Sequence, residues 1–103
     1  MAYFIEMARL ATSDLKALRA YDQRRIINEI ERQLRHQPGV GTRNRKNLGE
    51  LIADFEHRSP VWELRVGDYR VFYDIDEHSS TVTVRTIRRK EHGQRTEEVI
   101  RDY

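Results

Sequence analysis

The chain has 103 residues, of which 38% are apolar and 35% charged, with a formal net charge of +2 and a pI near 9.1. Such a length predicts one domain, residues 1–103, with a small core and marginal stability. The absence of cysteine excludes disulfides and thiolate zinc sites, and no apolar run nears the ~18 residues of a membrane span or forms a secretion signal, so a soluble cytoplasmic protein is the default expectation.

Residues 2–9, AYFIEMAR, are rich in β-formers and predict a first strand. Thr12-Ser13-Asp14 offers an N-cap ahead of Leu15 and Leu18 and predicts a short helix. A second helix start at Asp22 leads into Ile26, Ile27, Ile30 and Leu34 at helical spacing, with Arg24, Arg25, Glu29, Arg32 and Arg35 on the other side. The two helices are expected to form an antiparallel hairpin joined near Ala20 and Tyr21, and Pro38-Gly39 ends the second. Residues 39–47, GVGTRNRKN, read as a basic, flexible loop, residues 48–55 fit either a strand or a helical turn, and residues 57–60 read as a turn. Strands follow at 61–66, 69–76 and 81–88, and residues 97–100 have helical character. This β-αα-βββ order predicts an α+β fold, with the N-terminal strand and two-helix hairpin packed on one face of a small antiparallel β-sheet.

Gly67-Asp68 lies between two β-rich runs, and glycine in the first central position fits a two-residue type II′ turn. That turn sets Val66 across from Tyr69, Arg65 from Arg70, Leu64 from Val71, Glu63 from Phe72 and Trp62 from Tyr73. Alternation then places Trp62, Leu64, Val66, Tyr69, Val71, Tyr73 and Ile75 on the core face, and Glu63, Arg65, Arg70, Phe72 and Asp74 on the other. If Asp76 pairs with Thr81, Val82 and Val84 join the core, while Thr83, Arg85 and Ile87 join the arginine face, Arg85 beside Phe72. Arginines directly opposed on a sheet repel by a few tenths to about 1 kcal/mol. A solvated polar face would tolerate that repulsion; a face that receives an anion would use it, because two guanidiniums can fork onto one phosphodiester. Sixteen of the 19 basic residues are arginine, the better fork.

Two further basic runs extend this face. Arg43, Arg45 and Lys46 lie in the 39–47 loop, and Arg88, Arg89 and Lys90 end the last strand. A single charge run is ordinarily a solvated stretch. Combined with Arg65, Arg70 and Arg85 the two runs point to a polyanion, RNA or DNA, with Phe72 either stacking on a base or resting against the loop or tail. His36, His57 and His78 read as surface or turn residues, and the four histidines lack metal-ligand spacing.

The runs WELRVGDYRVFYDID and VTVRTIRRK, together with TRNRKNL, resemble the signature of the RelE/ParE superfamily of bacterial type II toxins, RelE-like branch. The resemblance covers nearly the whole chain and implies a RelE-like fold. It implies one of two activities: metal-independent mRNA cleavage at the ribosome, which inhibits translation, or poisoning of DNA gyrase without chemistry. A decayed relative that only binds its antitoxin is a third outcome. In the nuclease branch the RNA's own 2′-hydroxyl attacks, so the site needs a proton acceptor, cations for the phosphorane and a proton donor for the departing 5′ oxygen. Carried over by position, the resemblance assigns phosphate contact to Arg70, with Arg65 a basic neighbour, Lys90 the basic residue after the last strand, and His92 an acid or base. The basic runs and the arginine face leave Arg43, Arg45, Lys46, Phe72, Arg85, Arg88 and Arg89 as candidates for RNA binding. The resemblance implies no cofactor and no metal, and a cognate antitoxin and mRNA as partners. The chain departs from the nuclease pattern at Glu63, where some members carry lysine, and in the tail, whose sole tyrosine is Tyr103.

Overall fold

The computed structural model describes residues 2–50, 52–91 and 93–100. In chain order these residues form β1 (Phe4–Met7), α1 (Arg9–Lys16), α2 (Ala20–Leu34), β2 (Arg45–Asn47), β3 (Trp62–Val66), β4 (Tyr69–Asp76), β5 (Thr81–Arg89) and α3 (Thr96–Ile100). The strands make one five-stranded sheet in the order β1-β5-β4-β3-β2. The fold is α+β as expected, but the sheet is mixed. β1 runs parallel to β5, with Ile5 across from Val82, and the remaining pairs are antiparallel.

The hairpin of β3 and β4 has the register that its turn dictates, from Val66 across from Tyr69 to Trp62 across from Tyr73. Gly67 has φ +58°, the left-handed conformation required at the first central position of a type II′ turn. One sheet face then packs on the helices. Ala11 and Leu15 of α1 and Ile26, Ile30 and Leu34 of α2 meet Trp62, Leu64, Val66, Val71, Tyr73, Val82 and Val84. Ile27 falls off this stripe and is exposed. The buried Tyr73 hydroxyl donates to the Pro38 carbonyl at 2.7 Å, which satisfies the one polar atom of that side chain.

Three local expectations change. Helix α1 begins at Arg9, so Thr12-Ser13-Asp14 lies inside it and caps nothing. Asp14 instead accepts from the Thr86 hydroxyl at 2.6 Å and the Ile87 amide at 2.9 Å, tying the helix to β5. Helix α2 begins at Ala20, and Ala17–Arg19 link the helices. Residues 45–47, expected in a flexible loop, form an edge strand on β3, with Arg45 across from Leu64. That register turns Arg45 to the helical side, where its guanidinium donates to the carbonyls of Gln33 and Val40 and answers an orphan acceptor in the last turn of α2.

The largest change is a bulge in β5. Tyr73 pairs with Val84 but Phe72 pairs with Thr86, so Arg85 is the extra residue. Every residue beyond it swaps faces relative to unbroken alternation. Ile87 enters the main core, and Arg88 comes across from Arg70.

The second sheet face is not bare. Phe72, Phe55, Val61, Val99 and Ile100 form a smaller buried cluster, flanked by Leu48 and Ala53. Irregular chain before β3 and the short helix α3 thus cover part of the face that alternation left open. Leu51, within the ambiguous 48–55 stretch, lies outside the described residues.

Candidate nucleic-acid interface

The bulge places three arginines in one row across three strands, Arg65 on β3, Arg70 on β4 and Arg88 on β5. They are held very differently. Arg65 is exposed and its side chain makes no ion pair with a described residue. Arg70 is 6% exposed, and its Nη1 donates to the carbonyls of Gly67 at 2.8 Å and Tyr69 at 2.9 Å. Its Nε lies 3.8 Å from Glu63 Oε2. Burial and the nearby Arg65 charge pull the Arg70 pKa below the ordinary guanidinium value, against the opposing pull of Glu63 and Asp68. Arg88 is consumed structurally. It donates to the Val99 carbonyl at 2.8 Å, pairs with Asp54 at 2.8 Å and lies over the Phe55 ring at 5.2 Å, pinning α3 and the 48–61 segment to the sheet.

Other expected nucleic-acid contacts are likewise spoken for. Phe72 is fully buried in the smaller cluster, so its ring cannot stack on a base. Arg85 grips Asp74 with two hydrogen bonds, 2.7 and 3.2 Å, and Asp74 also accepts from the Arg58 amide at 2.8 Å. Arg45 is buried on the helical side. These four residues are removed from the interface because each is satisfied by groups of its own fold. Apolar Phe55, Val61, Val99 and Ile100, none of which had a place in the helical core, were the available signal that the second face is covered.

What remains converges. Arg65, Arg70, Arg89 and Lys90 wall an open cleft of about 470 Å³ beside the hairpin turn, with Asp68, Glu91, Gly93 and Gln94 completing it. The Lys90 amide donates to the Asp68 carbonyl at 2.7 Å, which fixes the end of β5 against the turn. A second cleft of about 460 Å³ shares Lys90 and Gln94 and adds Lys46 and Arg95. Lys46 stands across from Glu63, on the arginine face. Together the two clefts carry six cations against the carboxylates Asp68, Glu91 and Glu97, an electropositive groove suited to a phosphate backbone. Arg43 is exposed on the turn before β2 and lines neither cleft. His92 and Tyr103 lie outside the described residues.

The family model described as the ParE toxin of type II toxin–antitoxin systems, parDE, matches residues 5–93. Among curated proteins no sequence matches significantly. The fold is similar to the toxin–antitoxin complex RelBE2 from Mycobacterium tuberculosis, at a TM-score of 0.65 and 22% identity over 87% of this chain and 100% of that one. It is similar also to the archaeal RelE–RelB complex from Pyrococcus horikoshii OT3, at a TM-score of 0.66 and 18% identity over 90% and 100% of the two chains. A match over most of the chain to one toxin family, on a fold shared with RelE-type complexes, places this protein in the RelE/ParE superfamily: it belongs to the ParE toxin family of type II toxin–antitoxin systems.

Proposed function

We propose that the chain is a RelE-like toxin that cuts mRNA at the Arg65–Arg70–Lys90 cleft without a metal, on the ribosome, and so inhibits translation. One observation carries this reading: Lys90, at the end of the last strand, walls the same cleft as the hairpin pair Arg65 and Arg70. In the reaction the RNA 2′ oxygen attacks the adjacent phosphorus, the new P–O2′ bond forms and the P–O5′ bond breaks. The products are a 2′,3′-cyclic phosphate and a 5′ hydroxyl. Arg65, exposed at the cleft wall, and Arg70, held at its base by the turn carbonyls, meet the charge that builds on the phosphorane. Holding Arg70 rigidly means that little reorganisation is needed as the charge develops. Lys90 and His92 are the groups assigned to move the protons. A small antitoxin protein is the proposed partner, by analogy with the complexes that share this fold.

Gyrase inhibition without chemistry is the second reading. The family match is to ParE toxins, and Glu63 occupies the position of a lysine carried by some nucleases, which favours it. Inducing the chain in cells and mapping mRNA 5′ ends separates the two. New 5′-hydroxyl ends support cleavage; double-strand DNA breaks and an SOS response without new RNA ends support gyrase poisoning. Antitoxin binding with neither effect supports a decayed relative.

A further inference from the structure

A third cleft, of about 510 Å³, opens on the other side of the hairpin turn, against the start of α2. It shares Asp68 and Arg89 with the Arg65–Arg70 cleft, so the two are neighbours separated by the turn itself. Arg25 of α2 sits at the crest between them. Its guanidinium lies so close over Gly67 that a Cβ built there would be 2.6 Å from Nη2 and 2.8 Å from Nη1. Glycine at this position therefore does two things: it makes the turn, and it leaves room for a cation on top of it.

The charges in this cleft are not equally available. Asp22 is buried and already satisfied, accepting from Arg19 Nε at 2.9 Å and the Tyr69 hydroxyl at 3.1 Å. Arg19, itself largely exposed, pairs with it from the solvent side. Arg25 makes no ion pair or hydrogen bond with a described residue, and the ion pair of Arg89, 60% exposed, among the described residues is with Glu91 at 3.9 Å, a solvated pair of little strength. Asp68 is the carboxylate left to oppose these two arginines.

We propose that Arg25 and Arg89 form a second phosphate subsite, which holds a single-stranded polynucleotide where it leaves the Arg65–Arg70 cleft and crosses the Gly67 turn. The inference rests on the polynucleotide reading of that cleft and adds the path of the strand beyond it. A single strand fits best because Arg70 is nearly buried at the cleft, where a flexible backbone brings a phosphate in more readily than a stiff duplex does.

Fluorescence anisotropy with mixed-sequence 2′-O-methyl RNA, which keeps every phosphate but cannot supply the nucleophile, tests this at two lengths, about 4 and about 12 nucleotides, across a salt series. Arg25→Ala is expected to weaken the longer strand about three- to tenfold and to lower the slope of log affinity against log salt by about 0.7, the value of one phosphate contact on a single strand. It should leave the shorter strand unchanged. Arg24→Ala, next along α2 but outside both clefts, should alter neither strand. Arg25→Ala without effect on the longer strand, or an equal loss for both lengths, or the same loss in Arg24→Ala, overturns the subsite while leaving the first cleft standing. A wild-type protein that binds neither strand overturns the polynucleotide reading and the subsite with it.

Discussion

The two faces of the sheet use the same strands for different ends. The helical face is a continuous apolar core, from Ala11 to Ile87, whose polar exceptions such as the Tyr73 hydroxyl each have a partner. The other face is divided. Its centre is closed by the Phe55–Phe72–Ile100 cluster and by Arg85 and Arg88, each locked to a carboxylate, while its end near the hairpin turn stays open around Arg65, Arg89 and Lys90. Arginine is therefore two kinds of residue here. Some hold the cover in place, and others line the open cleft beside it, so a count of basic residues on a face does not measure how many remain accessible.

Substitutions separate the two kinds. Phe72→Ala should cost about 3–5 kcal/mol in a urea melt, the range for emptying a buried aromatic position. Oligonucleotide affinity of the remaining folded fraction should not change. A stable variant with weakened binding would mean that the ring meets bases after all.

Asp74→Ala should cost about 2–3 kcal/mol, because it strands the half-enclosed Arg85 and the Arg58 amide together. An Arg85→Met, Asp74→Leu double variant should recover part of that loss; no recovery would show that the pair is not coupled.

High pH weakens the helical face. Burial raises the Tyr73 pKa, and burial together with Asp22 raises that of Tyr69. A tyrosine whose folded pKa lies above its unfolded value contributes stability that is complete below about pH 10 and is lost as pH climbs through the folded value. Thermal midpoints should therefore fall above about pH 10, and absorbance titration should show some tyrosines ionising only as the chain unfolds. A midpoint flat through that range would contradict the Tyr73 and Tyr69 assignments.

Arg65→Ala is the smallest change to the fold. Stability should move by no more than about 0.5 kcal/mol, with any shift toward a gain as repulsion with Arg70 is relieved. Function should nonetheless fall. A loss of several kcal/mol would make Arg65 another structural arginine.

Much of this architecture was legible residue by residue. Gly67 set the β3–β4 register, and the alternation it implied placed Trp62 through Ile75 correctly. The bulge was not legible, because Arg85 carries no glycine or proline to mark it, and its effect was to exchange Ile87 and Arg88 between faces. Strand β2 was missed because Arg45-Lys46-Asn47 has no β-former; it exists only because β3 offers an edge and Thr42 turns the chain toward it, its hydroxyl accepting from the Asn44 and Arg45 amides at 3.2 Å. Asp14 looked like a cap since local sequence cannot reveal an acceptor needed by β5, more than seventy residues away. For the candidate site, the hairpin and the end of the last strand pointed to Arg65, Arg70 and Lys90, which line one cleft. That Phe72, Arg45, Arg85 and Arg88 are buried or paired within the fold was not legible, because most of their partners come from segments with no periodicity of their own.

The cleft is tested most directly by comparing wild type with Arg65→Ala, both induced to equal levels of folded protein, with mRNA 5′ ends mapped in each. Wild type should generate new 5′-hydroxyl ends and arrest growth, and the variant, equally stable, should generate at least tenfold fewer, a lower bound set by the loss of one preorganised cation at the reacting phosphate. Equal cleavage by the two proteins, or growth arrest by wild type with no new RNA ends, would contradict the assignment of the cleft.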